Sequence, residues 1–183
     1  MKPEAEYENK AGTSFEELYD RQFDAVNRYL RYRIRSSWDA DDLTATVFLK
    51  ALEHFHQYRG EAPVVVWLFR IAHNCYVDYL RGRREKVFPE EKMLLYNNFP
   101  SGPEEELLRE EEVHQLRKML WHLTRSQRDV VSLRYAGELK FSQIAMVLGK
   151  SESAVRMIHH RALKSLRANF FIIEERGESV ARG

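Results

Sequence analysis

The residues from Leu139 to Leu166, LKFSQIAMVLGKSESAVRMIHHRALKSL, restrict this chain more than any other segment. They read as two short helices around a tight turn. Gly149 closes the first helix, and Ser151 stands where a hydroxyl caps the second. Ile144, Ala145 and Leu148 share one face of the first helix. In the second, Val155, Ile158, Ala162 and Leu166 recur at i, i+3, i+7 and i+11, again a single apolar face. Ala145, Gly149 and Val155 have the spacing of a helix-turn-helix. The small Ala lets the helices approach, Gly tolerates a positive φ in the turn, and Val wedges between the helices. Lys140, Lys150, Arg156, Arg161 and Lys164, with Arg167 just beyond, stand against one acid, Glu152. That is the charge pattern of a helix laid in a DNA major groove. An ordinary αα-hairpin with a solvated basic face is the plainer alternative.

The chain has 183 residues, 31% of them charged and 44% hydrophobic, which is room for one or two ordinary globular domains. No apolar run is long enough for a transmembrane helix, and membrane insertion is not expected. The N-terminus, MKPEAEYENKAGTS, lacks the apolar stretch of a signal peptide. A single cysteine, Cys75, excludes an internal disulfide and a Cys-rich zinc site. A reducing cytoplasm fits this usage. The net charge of +1 conceals asymmetry. Asp39, Asp41 and Asp42 cluster early, Glu104 to Glu112 is acidic, and Arg81 to Lys86 is basic. Separate acidic and basic faces suggest two kinds of partner.

Read in order, the chain predicts an all-α protein. It consists of two small helical domains joined by a flexible linker, the second containing the helix-turn-helix. Residues 1–13 are expected to be disordered. The first domain spans 14–84. It opens at a capping box, Ser14 to Glu17, and a helix runs to about Arg35 with Phe15, Leu18, Tyr19, Val26, Tyr29, Leu30 and Ile34 on its apolar face. A second helix begins near Asp39 to Asp42, with Leu43, Val47, Leu49 and Leu52 as core positions. A loop hinged on Gly60 leads to Pro63 and a third helix, apolar at first and basic at its end. Pro89, Pro100, Gly102 and Pro103 mark a linker over 85–103. The second domain spans 104–170. It begins with an amphipathic helix from Leu107 to Leu123, continues through a capping box at Thr124 to Gln127, and ends in the helix-turn-helix. The tail, 171–183, is expected to fray.

These segments together resemble a bacterial extracytoplasmic-function (ECF) sigma factor, the compact two-domain class of the sigma-70 family. The resemblance covers Phe15 to Ala168. It rests on FEELY (15–19), DADDLTATVFLKA (39–51), FHQYRGEAPVVVWLFRIAHNCYVDYLRGRR (55–84) and LTRSQRDVVSLRYAGELKFSQIAMVLGKSESAVRMIHHRALKSLR (123–167), in this order. It implies a first domain that binds core RNA polymerase and the −10 promoter element. It implies a second domain that recognises −35 duplex DNA, and a cytoplasmic protein without cofactor or catalytic activity. An anti-sigma partner is a further expectation of the family.

The resemblance also assigns residues. Asp41, Asp42 and Phe48 match the polymerase-contact helix, although Ala45-Thr46 stands where the family usually has polar residues, often Gln-Glu. Tyr58, Arg59 and Asn74 match positions that hold and read unstacked −10 bases, and Arg70, Arg81, Arg83 and Arg84 are phosphate candidates. In the second helix of the helix-turn-helix, Ser153, Arg156, Met157, His160 and Arg161 lie off the apolar stripe and face the groove. Either arginine can read a guanine edge or hold phosphate. Met157-Ile158-His159 departs from the commoner family pattern, keeping the apolar face while changing what the groove meets. Lys140 stands where a capping Ser is usual. His73 and Cys75, two apart on a helix, do not face each other, and a surface His beside a buried thiol is the expectation.

A second reading is a helix-turn-helix regulator whose N-terminal half is a sensor or dimerisation domain. WLFRIAHN with its trailing arginines speaks against it. An enzyme is disfavoured, since the chain has no paired carboxylates, phosphate loop or His-metal spacing.

Overall fold

The computed structural model describes residues 14–34, 36–86, 119–120 and 122–180, with side chains described up to Gly82 and up to Ala168 in the two halves. The expected linker beyond Lys86, the segment 87–118 and residues 1–13 lie outside the described residues. Six α-helices occur among those described: α1 (Phe15–Arg31), α2 (Ser37–His54), α3 (Val64–Lys86), α4 (Arg125–Tyr135), α5 (Phe141–Leu148) and α6 (Glu152–Val180).

The first three helices pack on one another. Ser14 precedes α1, but its hydroxyl bonds the Glu16 carboxylate and no side chain caps the helix, so the expected capping box does not form. Ser36 caps α2 instead, accepting from the Asp39 amide at 3.1 Å. The buried side of α2 differs from the one its leucines suggest. Ala40, Thr44, Val47, Phe48 and Ala51 are buried, while Leu49 and Leu52 are exposed. Small residues at 40, 44 and 51 let α1 approach closely, and Phe48 fills the remaining space against Tyr19 and Phe23, with ring centroids 4.8 and 5.8 Å away. A 3₁₀ turn, Phe55–Gln57, follows, and Gly60 adopts the positive φ of 78° that turns the chain into α3.

The second unit forms around α6, against which α4 and α5 pack. Thr124 and Gln127 form the expected capping box of α4, the Thr124 amide donating to Gln127 Oε1 at 2.9 Å. Gly149 takes φ 62° at the end of α5, Ser151 accepts from the Ala154 amide at 3.2 Å, and Val155 is fully buried, as a helix-turn-helix requires. Lys140 has no capping hydroxyl, but the Gln143 side chain accepts from its backbone amide at 2.8 Å. The last helix does not fray at 171. It runs on to Val180, because no proline interrupts it and its first glycine after 149 is Gly177.

The two units share one apolar core. Phe69 and Tyr29 belong to the same buried cluster as Leu133, Leu139 and Ile144, and α3 lies against α5. Arg33, just after α1, pairs with Asp129 of α4 across this boundary, both side chains almost completely buried. His73 is also drawn in, its Nδ1 lying 3.1 Å from the Tyr29 hydroxyl rather than on an open surface.

Candidate nucleic-acid interface

The loop before α3 and the first turns of that helix enclose a recess of about 320 Å³, lined by Gln57, Tyr58, Arg59, Glu61, Ala62, Trp67 and Arg70. Two of the lining residues are aromatic, and the Trp67 ring centroid lies 5.5 Å from that of Tyr58 and 6.0 Å from that of buried Phe55 behind it. The Tyr58 hydroxyl donates to the Ala62 carbonyl, which closes the loop into a fixed shape. The Tyr58 and Trp67 rings, tilted 47° to each other, stand beside exposed Arg59, an aromatic and cationic combination with the chemistry to hold an unstacked base and its phosphate.

From this recess an exposed stripe runs along α3. Arg70, Asn74 and Arg81 fall at i, i+4 and i+11, which places them above one another. Asn74 is exposed, and Arg81 lies 3.4 Å from Asp78 one turn back. Arg70 is engaged elsewhere: its Nε and guanidinium nitrogen donate to the Met146 carbonyl of α5 at 3.0 and 2.8 Å. Arg83 and Arg84 stand on the last turns of α3, with side chains outside the described residues.

On α6, Ser153, Arg156, Met157, His160 and Arg161 are all exposed, on the side opposite buried Val155 and Ala162. The arginine at 156 is held before any ligand arrives. Glu152 accepts from its Nε at 3.0 Å and from its terminal nitrogen at 2.6 Å, and the guanidinium stacks 4.6 Å from the centre of Phe141. His159 packs on Phe141 and Tyr135 with its Nε2 3.1 Å from the Tyr135 hydroxyl. Burial, followed by Arg134 and His160, pushes its imidazole below the ordinary histidine value, so the ring stays neutral near pH 7.

Asp41, Asp42 and Phe48, the residues expected to contact polymerase, are not brought to one exposed surface. Phe48 is only 5% exposed and lies inside the Tyr19–Phe23 cluster. The Asp41 carboxylate is taken by Arg31, at 2.8 Å to Oδ2, and by Asn27 at 2.9 Å, and these hydrogen bonds, Arg31 first, hold its pKa below the ordinary value. Asp42 is exposed, and on the same side of α2 stand Trp38, 79% exposed, and Leu49, 61% exposed. Trp38 and Leu49 are eleven residues apart, three helical turns, with Asp42 and Ala45 between them. The exposed leucine escaped the sequence reading because periodicity favoured the largest apolar residues for the core.

Comparison with known proteins covers the same segments. The family model for sigma-70 region 2 matches residues 18–86, and that for sigma-70 region 4 matches residues 119–168. The chain is 32% identical over 158 residues to the RNA polymerase sigma factor YlaC of Bacillus subtilis, a match covering 85% of this chain and 91% of that protein. It is 31% identical over 156 residues to the ECF RNA polymerase sigma factor BldN of Streptomyces coelicolor, covering 84% of this chain and 59% of BldN. Its fold is that of the sigma factor RpoE of Bartonella quintana, solved in complex with the anti-sigma factor NepR. That similarity has a TM-score of 0.65 and 17% identity, and covers 84% of this chain and 94% of the other. With region 2 and region 4 matched in order on the helices that carry the recess, the stripe and the helix-turn-helix, the chain belongs to the sigma-70 family, among its ECF sigma factors.

Proposed function

We propose that this chain confers promoter specificity on core RNA polymerase by reading two DNA elements with two separate surfaces. The recess between Tyr58 and Arg70, with the Asn74–Arg81 stripe, takes the unstacked −10 strand. The exposed face of α6 takes the −35 duplex in its major groove. Asp42 with Trp38 and Leu49 forms the polymerase-facing side of α2, in place of a set centred on Phe48. The chain has no catalytic chemistry of its own in this reading, acts in the cytoplasm, and is a candidate for restraint by an anti-sigma protein, as RpoE is bound by NepR. The observation that carries the proposal is the recess itself. A cavity lined by Tyr58 and Trp67 beside a basic, Asn-bearing helix stripe suits single-stranded bases, and it occurs in the same chain as a helix-turn-helix suited to duplex DNA.

Reconstituted transcription with core polymerase on genomic DNA of the encoding bacterium tests it. Promoter-specific transcripts that require the chain are expected, and neither core binding nor any such transcript would refute the reading. Within that assay, Asn74→Ala is expected to lower −10-dependent initiation while core binding stays intact. Parallel loss of core binding would remove Asn74 from the DNA-reading set.

A further inference from the structure

Three helices bring side chains together at one flank of α6. The Phe141 ring, at the start of α5, is shared between them. The Arg134 guanidinium of α4 lies 5.1 Å from its centre, and the Arg156 guanidinium of α6 lies 4.6 Å from it. His159, one turn on from Arg156, meets the same ring edge-on, with centroids 5.1 Å apart and the planes at 67°. The imidazole also stacks on Tyr135, 5.7 Å away and tilted by 29°, with Nε2 3.1 Å from the Tyr135 hydroxyl. Tyr135 is itself 58% exposed, so a surface residue rather than the core holds the imidazole.

The groups around the Phe141 ring are not equally fixed. Arg134 is tethered, its guanidinium donating to the Leu139 carbonyl at 2.8 Å in a part-buried setting. His159 is tied to Tyr135. Arg156 is exposed, and its acid partner, Glu152, stands one turn back on the same helix. An exposed pair of this kind is weak, so Arg156 is the group that moves when the ring shifts or when positive charge accumulates beside it. His159 bears on both. Its ring packs along Phe141, and while neutral it adds no charge to a ring that already carries two guanidinium groups. The charged groups around it are mostly cationic. From α4 comes Arg134, beside Tyr135, and Lys140 stands at the head of α5. From α6 come His160 and Arg156, with Glu152 already accepting from Arg156. Burial first, then Arg134 and His160, push the imidazole below the ordinary histidine value.

We propose that His159 is a positioning residue for −35 recognition: bonded to Tyr135 and packed on Phe141, the uncharged imidazole steadies the platform on which Arg156 lies, and proton uptake by it releases Arg156 and lowers discrimination between −35 sequences. The inference rests on the reading of α6 as the −35 helix, and adds to it a residue on the flank of the groove-facing set. Discrimination, rather than affinity, is the quantity affected. An imidazolium beside the duplex attracts phosphates of any sequence. A displaced Arg156 no longer meets the base edge, or the phosphate that fixes the register of the helix.

The test uses holoenzyme reconstituted from core polymerase and the full chain. The probes are a promoter fragment that the wild-type chain transcribes and the same fragment with its −35 base pairs scrambled. The ratio of their apparent affinities, from anisotropy titrations at fixed salt, is the preference. His159 is only partly buried, so substitution there leaves the core closed. At about pH 8, above the ordinary histidine value, His159→Ala is expected to lower the preference about three- to fivefold, the scale of one exposed cation–π contact. His159→Leu restores bulk without a titratable group and is expected to keep the preference close to the wild-type value. As pH falls from about 8 to about 5.5, through the depressed value of the imidazole, the wild-type preference is expected to drop by a similar factor while that of His159→Leu stays level. His73 and His160 are present in both proteins, so the difference between the two profiles belongs to position 159. An unchanged preference in His159→Ala, a loss in His159→Leu as large as in the alanine variant, or parallel pH profiles in wild type and His159→Leu would each overturn the proposal. A wild-type holoenzyme that transcribes from the fragment but binds the scrambled version equally well would instead refute the −35 reading of α6, which keeps the two failures apart.

Discussion

Arg156 shows how an exposed side chain of α6 is held in place by its neighbours. Glu152 and Phe141 fix its guanidinium in place, so little rotamer freedom remains to be lost on binding. Arg156→Ala should therefore weaken −35 duplex binding about tenfold or more, corresponding to ~1–3 kcal/mol, in anisotropy titrations at fixed salt. Arg156→Lys separates two roles. A lysine keeps the charge but loses the planar fork, so retained affinity would mark a phosphate contact and a loss close to that of alanine would mark base reading. Glu138 provides a second case. Its left-handed backbone costs roughly 1–2 kcal/mol, more than the ~0–1 kcal/mol expected of an exposed pair with Arg28. Glu138→Gly should accordingly raise stability by up to about 1 kcal/mol in urea melts. A lower midpoint would mean that the ion pair outweighs the strain. The exposure of Ser153, Arg156, Met157, His160 and Arg161 on α6 was legible in the sequence because they lie off the stripe of Val155 and Ala162, a pattern local to one helix. The partners that hold Arg156 were less so, since Phe141 belongs to a different helix.

Among the elements, α2 and the helix-turn-helix mark the two limits of what local pattern conveys. Gly149, Ser151 and Val155 act through backbone geometry and close packing within a few residues, so the turn could be read directly. In α2 the sequence offers Leu43, Val47, Phe48, Leu49 and Leu52 at nearly every angle, and periodicity cannot choose between them. The choice is made by Ala40, Thr44 and Ala51, whose small size lets α1 settle against that side, with Asn27 donating to Thr44 at 3.2 Å. The consequence is a division of labour that mutation can expose. Leu49→Glu should leave helicity and urea midpoint nearly unchanged while lowering co-purification with core polymerase about tenfold, since an exposed apolar anchor is lost from the contact. Phe48→Ala should instead cost ~3–5 kcal/mol of stability through the cavity it leaves. If Leu49→Glu binds core as the wild type does, the exposed side of α2 is not the polymerase face.

Across the whole molecule, the Arg33–Asp129 pair joins residues 96 apart and carries no local signature, which is why the sequence conveyed two helical domains but not the contact between them. It also brings His73 into a charged, poorly hydrated setting. Burial pushes the imidazole below its ordinary value. Asp129 opposes that shift, while Arg33 and Arg125 add to it, and the Tyr29 hydroxyl bonds the ring. Docking thus favours the neutral ring. The docked state keeps its full stability above the ordinary histidine range near ~6.5 and loses it as pH falls through the depressed value. The radius of gyration from small-angle scattering should therefore increase between pH 8 and pH 5.5, and His73→Gln should flatten the change. An identical change in the variant would assign it to other groups. The exposed Arg28–Glu138 pair has a different consequence, for the ionic-strength dependence of the contact between the two units. Added salt screens that pair, whereas the almost completely buried Arg33–Asp129 pair is screened much less. Raising salt should therefore remove no more than the ~0–1 kcal/mol expected of an exposed ion pair and leave the contact otherwise intact.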